Sequence, residues 1–199
     1  MNLPYVLILY YSRSGATTAM AKAITEGVEL IAGIEAKIRT LPSVSPDHQA
    51  TIAPIPETGA IYCDLDELKQ CSGLILGSPT RFGQMAAPLK HFIDGTGALW
   101  STGALIDKPV ACFTSTASLH GGQEATLFNM AIPMIHHGMV YCGIPFSEDA
   151  LYNTRSGGTP YGASHVSGSE ASRELTADEF ELCQALGSRI ARLSLRLIE

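Results

Sequence analysis

Three short stretches rich in hydroxyls and glycine each follow an apolar run of the chain. They are SRSGATT (12–18), SPTRFGQM (78–85) and TSTASLHGGQEAT (114–126). Serine and threonine hydroxyls donate hydrogen bonds to an anion without carrying charge, and the backbone N–H groups of such turns do the same. The three stretches therefore indicate a ligand site built from loops, provided that the fold brings them together.

The first stretch is the best suited to a phosphate group. It joins the apolar run YVLILYY to a predicted helix, and a helix N-terminus offers free N–H groups and a positive dipole end. Neither G-x-x-x-x-G-K-[ST] nor G-x-G-x-x-G occurs here, so the lysine and metal that hold a triphosphate are not indicated. We expect one phosphate dianion bound without a metal, as on flavin mononucleotide (FMN). The alternative is that Ser12 or Ser14 caps the helix and Gly15 supplies only a turn.

Alternating strands and helices would have to position these stretches. Apolar runs predict strands at 5–11, 73–78, 109–115 and 138–144, and polar–apolar alternation predicts a more exposed strand at 35–41. Helices are predicted at 16–32, 65–70, 84–95 and 123–137, the third of them interrupted or begun at Pro88. A last helix begins after Thr176, which has the capping-box spacing with Glu179. This alternation predicts a doubly wound α/β sheet, in which ligands bind at the carboxyl ends of the strands. All three stretches follow such ends.

Composition bounds the class of protein. The 199 residues are 46% hydrophobic and 16% charged, which predicts one globular domain spanning 1–199. A net charge of −6 disfavours nucleic acid as a ligand. The apolar run at 3–11 is far shorter than the ~20 residues that span a bilayer, so no stable membrane insertion is expected.

Cysteine and histidine spacing bears on redox compartment and metals. The five cysteines form no C-x-x-C pair, which predicts a reduced, cytoplasmic setting, and Cys112 and Cys142 are expected to be buried rather than nucleophilic. His91 and His120 have no partner at metal-ligand spacing, and the adjacent His136 and His137 cannot face one way on a helix. No metal site is predicted.

Several motifs together carry a family resemblance. YYSRSGATTAMAKAI, GSPTRFGQMAAPLKHFIDGTGALWSTGAL, TSTASLHGGQE, HHGM and GGTPYGA occur in this order. The chain resembles the WrbA-type NAD(P)H:quinone oxidoreductases of the flavodoxin-like superfamily. The resemblance implies a flavodoxin-like, doubly wound, five-stranded parallel sheet in the order 2-1-3-4-5, with helices on both faces.

The resemblance also implies roles for individual residues. FMN would be held by Ser12, Arg13, Ser14, Gly15, Ala16 and Thr17, by Pro79, Thr80, Arg81 and Phe82, and by Ser115, Thr116, Ala117, Ser118, Leu119, His120 and Gly121. His136 matches a catalytic histidine that reaches the flavin from a neighbouring subunit, and Trp100, in a loop-like setting, matches the ring on which the quinone stacks. Ser14 stands where close family members carry an aromatic residue.

The implied activity is two-electron transfer from NADH or NADPH to a quinone by a ping-pong mechanism, in a homotetramer. The proline-rich segment 42–64 and a long loop at 145–175 are expected interface material. Two alternatives use the same fold: a flavodoxin-like electron carrier, and a non-enzymatic regulatory or binding flavoprotein. A serine hydrolase is a weak third, because the G-x-S-x-G elbow is absent.

Overall fold

The fold is a parallel sheet covered by helices on both faces. A computed structural model describes residues 3–45, 56 and 58–198. The strands are β1 (Tyr5–Tyr10), β2 (Glu35–Thr40), β3 (Gly73–Pro79), β4 (Pro109–Thr116), β5 (Val140–Tyr141) and β6 (Ala163–Val166). The helices are α1 (Ala16–Glu29), α2 (Leu65–Gln70), α3 (Ala87–Asp94), α4 (Gly97–Ser101), α5 (Gln123–His136), α6 (Ala150–Asn153) and α7 (Ala177–Leu197).

The strand order confirms the predicted doubly wound topology. The main path is β2-β1-β3-β4-β5, and each pairing along it is parallel. In a parallel sheet of this kind the order reverses beside β1, so the loops after β1 and β3 open at the same edge. The sheet thus carries the first two hydroxyl-rich stretches to one place.

The fifth strand is much shorter than the strand predicted at 138–144, and a sixth strand lies beside β4 as well. Only Val140–Tyr141 forms β5, which pairs with the start of β4, and β6 pairs in parallel with the end of β4, from Phe113 to Thr116. The prediction of a loop at 145–175 is therefore wrong in part, because this segment contains α6 and β6. Its turn residues concealed a four-residue strand that is too short to show a period in the sequence.

Two apolar cores lie on opposite faces of the sheet. Side chains of β1 alternate between them: Val6 and Ile8 pack with α1 and α7, while Leu7 and Leu9 pack with α3 and α5. A strand covered on both faces reads as a continuous apolar run, which is why the run at 5–11 predicted a central strand. The sheet is a rigid base for the loops at its edge.

The last helix is anchored at its N-terminus by a buried carboxylate. The predicted capping box between Thr176 and Glu179 is present. Glu179 Oε1 also accepts from the N–H groups of Gly157 and Val166 at 2.7 and 3.1 Å, and Oε2 lies 2.9 Å from His165 Nδ1. The hydroxyl of Ser156 also donates to Oε1. We call these residues the Glu179 network, and it ties β6 and the segment before it to α7.

Other sequence expectations are corrected at element ends. The segment 84–95, predicted as a helix interrupted or begun at Pro88, is helical from Ala87, after a turn, with Pro88 at the start of the helix. Residues 46–55 and 57 of the proline-rich segment lie outside the described residues. Among the described helices, none is long and apolar enough to cross a bilayer.

Candidate active site

The first turn is shaped by a glycine in the left-handed region. Gly15 precedes α1 with φ 95°, and its N–H donates to Ser12 Oγ at 3.1 Å. No side chain caps α1, so Ser12 stabilises the turn without capping the helix. The first N–H groups of α1 have no intrahelical acceptor by helix geometry. The turn can therefore present them to an anion.

Hydrogen bonds connect the three predicted stretches to one another. Thr17 Oγ1 lies 3.1 Å from Ser115 Oγ, which joins the first turn to the end of β4. The N–H of Thr80 donates to the carbonyl of Ser115 at 2.9 Å, and Thr80 Oγ1 lies 2.8 Å from Thr126 Oγ1. The predicted convergence at the carboxyl edge of the sheet is confirmed.

The second turn holds an aromatic ring out in solvent. Arg81 and Gln84 exchange backbone hydrogen bonds at 2.8 and 3.0 Å, and between them Phe82 and Gly83 both have positive φ, 55° and 76°. Left-handed backbone is strained for a bulky residue, and such strain concentrates at functional sites. Phe82 is fully exposed at 103%. Its ring is available to a planar ligand or to another chain.

The third turn is held from beneath by a buried amide. Residues 117–120 are exposed, and His120 has φ 56°. Gln123, which is buried, donates from Nε2 to Thr116 Oγ1 at 2.8 Å and to the carbonyl of Ser118 at 3.1 Å. Gln123 thus sets the shape of the turn. It lies in the GGQE motif, but its role does not follow from the sequence.

A cleft of about 1020 Å³ opens beside these turns, between α3, α4 and α5. Four of the predicted site residues line it: Arg13, Arg81, Trp100 and His136. The remaining predicted residues lie in the three turns and not in the cleft wall. The wall also contains residues that were not predicted from the sequence, among them Gln84, Thr96, Asn129 and His137.

Trp100 stands in a short helix rather than in the predicted loop. It belongs to α4, and its indole Nε1–H donates to the carbonyl of His136 at 2.9 Å. The side chain nevertheless stays 58% exposed. Because the polar edge of the indole is already satisfied, its faces remain free for stacking on a planar ligand.

The two adjacent histidines do face different ways, as the sequence indicated. His136 is exposed at the cleft, whereas His137 is 7% exposed and has Nε2 2.8 Å from Thr96 Oγ1. The other ring nitrogen, Nδ1, is buried and has no hydrogen-bond partner among the described residues. Burial, and secondarily the neighbouring His136, lowers the pKa of His137. The sequence offered no signal to separate the two rings, because that depends on how α5 packs.

This donor set fits FMN. Free N–H groups at the first turn suit its phosphate, and the guanidinium groups of Arg13 and Arg81 line the neighbouring cleft, where positive charge favours an anionic ring. These two observations are independent of one another and both concern turns at the carboxyl edge of the sheet.

Thiol and metal chemistry have little support within the described residues. Cys112 and Cys142 are buried as predicted, and burial raises the pKa of both thiols, which keeps them protonated and unreactive. In the same described ranges, no three histidine, cysteine, aspartate or glutamate side chains gather in a way that could hold a metal ion.

Comparisons with known proteins agree with the geometry. The family model described as NADPH-dependent FMN reductase matches residues 5–147. A protein of Chromohalobacter salexigens named NAD(P)H dehydrogenase (quinone) is 40% identical over 196 residues, which cover 96% of this chain and 98% of that protein.

Solved structures show the same fold. A WrbA-like flavodoxin from Agrobacterium tumefaciens superposes with a TM-score of 0.67 at 22% identity, over 98% of this chain and 99% of that one. An archaeal flavodoxin gives a TM-score of 0.63, also at 22% identity, over 96% and 99%. Together with the sequence matches, these structures confirm the predicted resemblance and the flavodoxin-like fold.

Proposed function

This chain belongs to the NADPH-dependent FMN reductase family, and we propose that it is an FMN-dependent enzyme that transfers two electrons from NAD(P)H to a quinone. The observation that carries the proposal is the bonding of three turns into one rim beside the cleft that contains Trp100. The curated relative, at 40% identity, is named for the same activity.

The protein residues supply binding and orientation. The turn from Ser12 to Thr17 would hold the phosphate of FMN, while 79–82 and 115–121 would contact its ring system. FMN supplies the two-electron chemistry between a nicotinamide and a quinone when it is bound. Trp100, His136 and Arg81 line the space in which the co-substrates would lie. Trp100 stacks on the quinone, and the guanidinium group of Arg81 orients groups that gain negative charge.

One cleft for both co-substrates implies alternate occupancy. NAD(P)H and the quinone would each use the wall of Trp100 and His136, so the oxidised nucleotide must leave before the quinone binds. We therefore expect ping-pong kinetics. Plots of reciprocal initial rate against reciprocal NADH concentration, at several fixed benzoquinone concentrations, should give parallel lines. Intersecting lines would refute the shared cleft.

The first test is the cofactor itself. Purified protein mixed with FMN should give a visible flavin spectrum and quench the fluorescence of free FMN, and it should then reduce benzoquinone with NADH or NADPH. FMN binding without turnover, together with two separate one-electron steps in a redox titration, would favour the electron-carrier alternative. FMN binding with neither property would favour a regulatory flavoprotein.

We also propose a homotetramer in the cytoplasm. Phe128, Ile132 and Ile135 form an exposed apolar stripe at i, i+4 and i+7 on α5, and the protruding Phe82 is more exposed still. Apolar surface of this kind is expected to lie against another chain. Light scattering should give a mass near four chains, and Phe128→Lys should lower it. Cell fractionation tests the compartment.

A further inference from the structure

The side-chain amide of Gln123 holds the third turn through two acceptors. Gln123 is 5% exposed, and its Nε2 lies 2.8 Å from Thr116 Oγ1 and 3.1 Å from the carbonyl oxygen of Ser118. A carbonyl oxygen can only accept, so the amide atom that faces it is the nitrogen. The hydroxyl of Thr116 donates to the same carbonyl at 2.9 Å. Every hydrogen of the amide and the hydroxyl is therefore used to hold this turn.

These bonds fix the orientation of one peptide group. In a trans peptide the C=O and N–H bonds point in opposite directions. Because the carbonyl of Ser118 faces Gln123, the N–H of Leu119 points away from Gln123. Leu119 is 52% exposed, and within the part of the chain that the structure describes the N–H groups of residues 118–120 have no protein acceptor. The turn therefore has backbone donors available to a ligand.

The end of β4 before this turn is held separately. β6 pairs with β4 so that Val166 lies opposite Thr116. The N–H and the hydroxyl of Ser167 both donate to the carbonyl of Thr116, at 2.8 and 3.0 Å. Loss of the Gln123 amide would therefore leave the strand in place and release the turn beyond it. A substitution at Gln123 tests the turn rather than the sheet.

We propose that Gln123 is a positioning residue for the ring of FMN. It keeps the carbonyl of Ser118 turned inward, so that the N–H of Leu119 donates to a carbonyl oxygen of the flavin ring. The inference deepens the proposed function and rests on it for the ligand. The first turn, with Gly15, serves the phosphate of the same ligand. Gln123 and Gly15 should therefore control binding of different parts of FMN.

The test compares FMN with riboflavin, which has the same ring but no phosphate. Gln123→Met has a side chain of similar length that cannot donate a hydrogen bond. Gln123→Glu keeps the shape but places a charged oxygen against the carbonyl of Ser118. Glu124→Gln, at an exposed position in the same helical turn, is the matched control. Thermal melts establish which variants fold, and either substitution at Gln123 decides the question by itself.

Binding is the first readout. In fluorescence titrations, both Gln123 variants should bind FMN and riboflavin about 5- to 10-fold more weakly than the wild type, by the same factor for each flavin. Gly15→Ala should weaken the binding of FMN alone, and Glu124→Gln should weaken neither. Unchanged riboflavin affinity in the Gln123 variants would overturn the inference, and so would a loss confined to FMN.

The reduction potential of bound FMN is a second readout, which a loss of stability alone would not change. Reduction places more electron density on the carbonyl oxygens of the ring, so a donor to one of them binds the reduced form more tightly. The potential should therefore become more negative in both Gln123 variants and stay unchanged in Glu124→Gln. An unchanged potential in the Gln123 variants would refute the hydrogen bond from Leu119.

A third readout needs no ligand. The side-chain amide protons of Gln123, assigned by their absence from spectra of Gln123→Met, should exchange slowly with deuterated water because they are buried and hydrogen-bonded. Fast exchange would overturn the role of Gln123 in the turn. A wild type that binds neither flavin would refute the proposed function and the contact with the ring, while slow exchange would still show that Gln123 holds the turn.

Discussion

Two buried histidines of this protein differ in how many of their ring nitrogens have a hydrogen-bond partner. His165, in the Glu179 network, has Nδ1 2.9 Å from Glu179 and Nε2 3.1 Å from the carbonyl of Arg173. His137, at the cleft, has a partner for Nε2 only. Fully satisfied polar networks rigidify a structure, whereas a buried polar atom without a partner costs free energy. The first region ties elements of the fold together, and the second leaves a buried nitrogen without a partner among the described residues, on a side chain that lines the cleft.

The largest expected effect comes from breaking the satisfied region. Glu179→Gln removes the charge on which the ring of His165 and three backbone N–H groups converge. Removing one partner of a buried pair strongly destabilises a protein. We expect the free energy of unfolding to fall by about 3 kcal/mol, measured by urea denaturation. The matched change Glu181→Gln, on the exposed side of the same helix, should alter it by less than about 0.5 kcal/mol. Similar losses in both variants would contradict a special role for the Glu179 network.

Acid should weaken the same region in a defined window. Burial alone would raise the pKa of Glu179, but hydrogen bonds from His165 and from backbone N–H groups outweigh it and lower the pKa from 4.5 to about 2. A carboxyl with a depressed pKa stabilises the fold above its unfolded value, and the stabilisation is lost as the pH falls towards its folded value. About 3 kcal/mol should disappear between pH 4.5 and 2.

The acid effect has an internal control. Denaturation curves of Glu179→Gln should lack this part of the pH dependence, because no carboxyl titrates at that position. If the wild type and the variant lose stability in parallel below pH 4.5, other carboxyls are responsible.

Changing the first turn should separate binding from stability. Gly15→Ala places a Cβ in open space but on a backbone with φ 95°, so the cost is local strain of about 1 kcal/mol. Relief of that strain would move the first N–H groups of α1, and FMN affinity should fall about 10-fold in a fluorescence titration. Gly33→Ala has φ 90° and an ordinary contact at 3.9 Å, far from the three turns, and serves as the control. It should lose similar stability and keep its affinity for FMN. Equal affinity in the two variants would argue against a phosphate at this turn.

The smallest expected effect is at the exposed wall of the cleft. Trp100→Phe keeps an aromatic face but removes the Nε1–H bond to the carbonyl of His136 and part of the stacking area. We expect KM for benzoquinone to rise about 3-fold, corresponding to a fraction of the 0.5 to 1.5 kcal/mol typical of aromatic pairs, with FMN affinity unchanged. A fall in FMN affinity instead would place Trp100 against the cofactor.

Local pattern was sufficient for the elements that are long or buried on both faces. The apolar run of β1, the capping box of α7 and the hydroxyl-rich turns were all recognisable, and the motifs gave the family. β6 was not, because four residues show no period, and Trp100 was misread because the glycines around it resemble a loop.

The sequence by itself determined the doubly wound class, the three turns and the kind of ligand that they suit, since each depends on residue types close together along the chain. Only the tertiary structure decided which histidine is buried, which nitrogen lacks a partner, and how Thr17, Ser115, Thr80 and Thr126 join the turns into one rim. The physical reason is that a hydrogen bond between residues 98 or 46 positions apart depends on the packing of helices on the sheet, which no local pattern encodes.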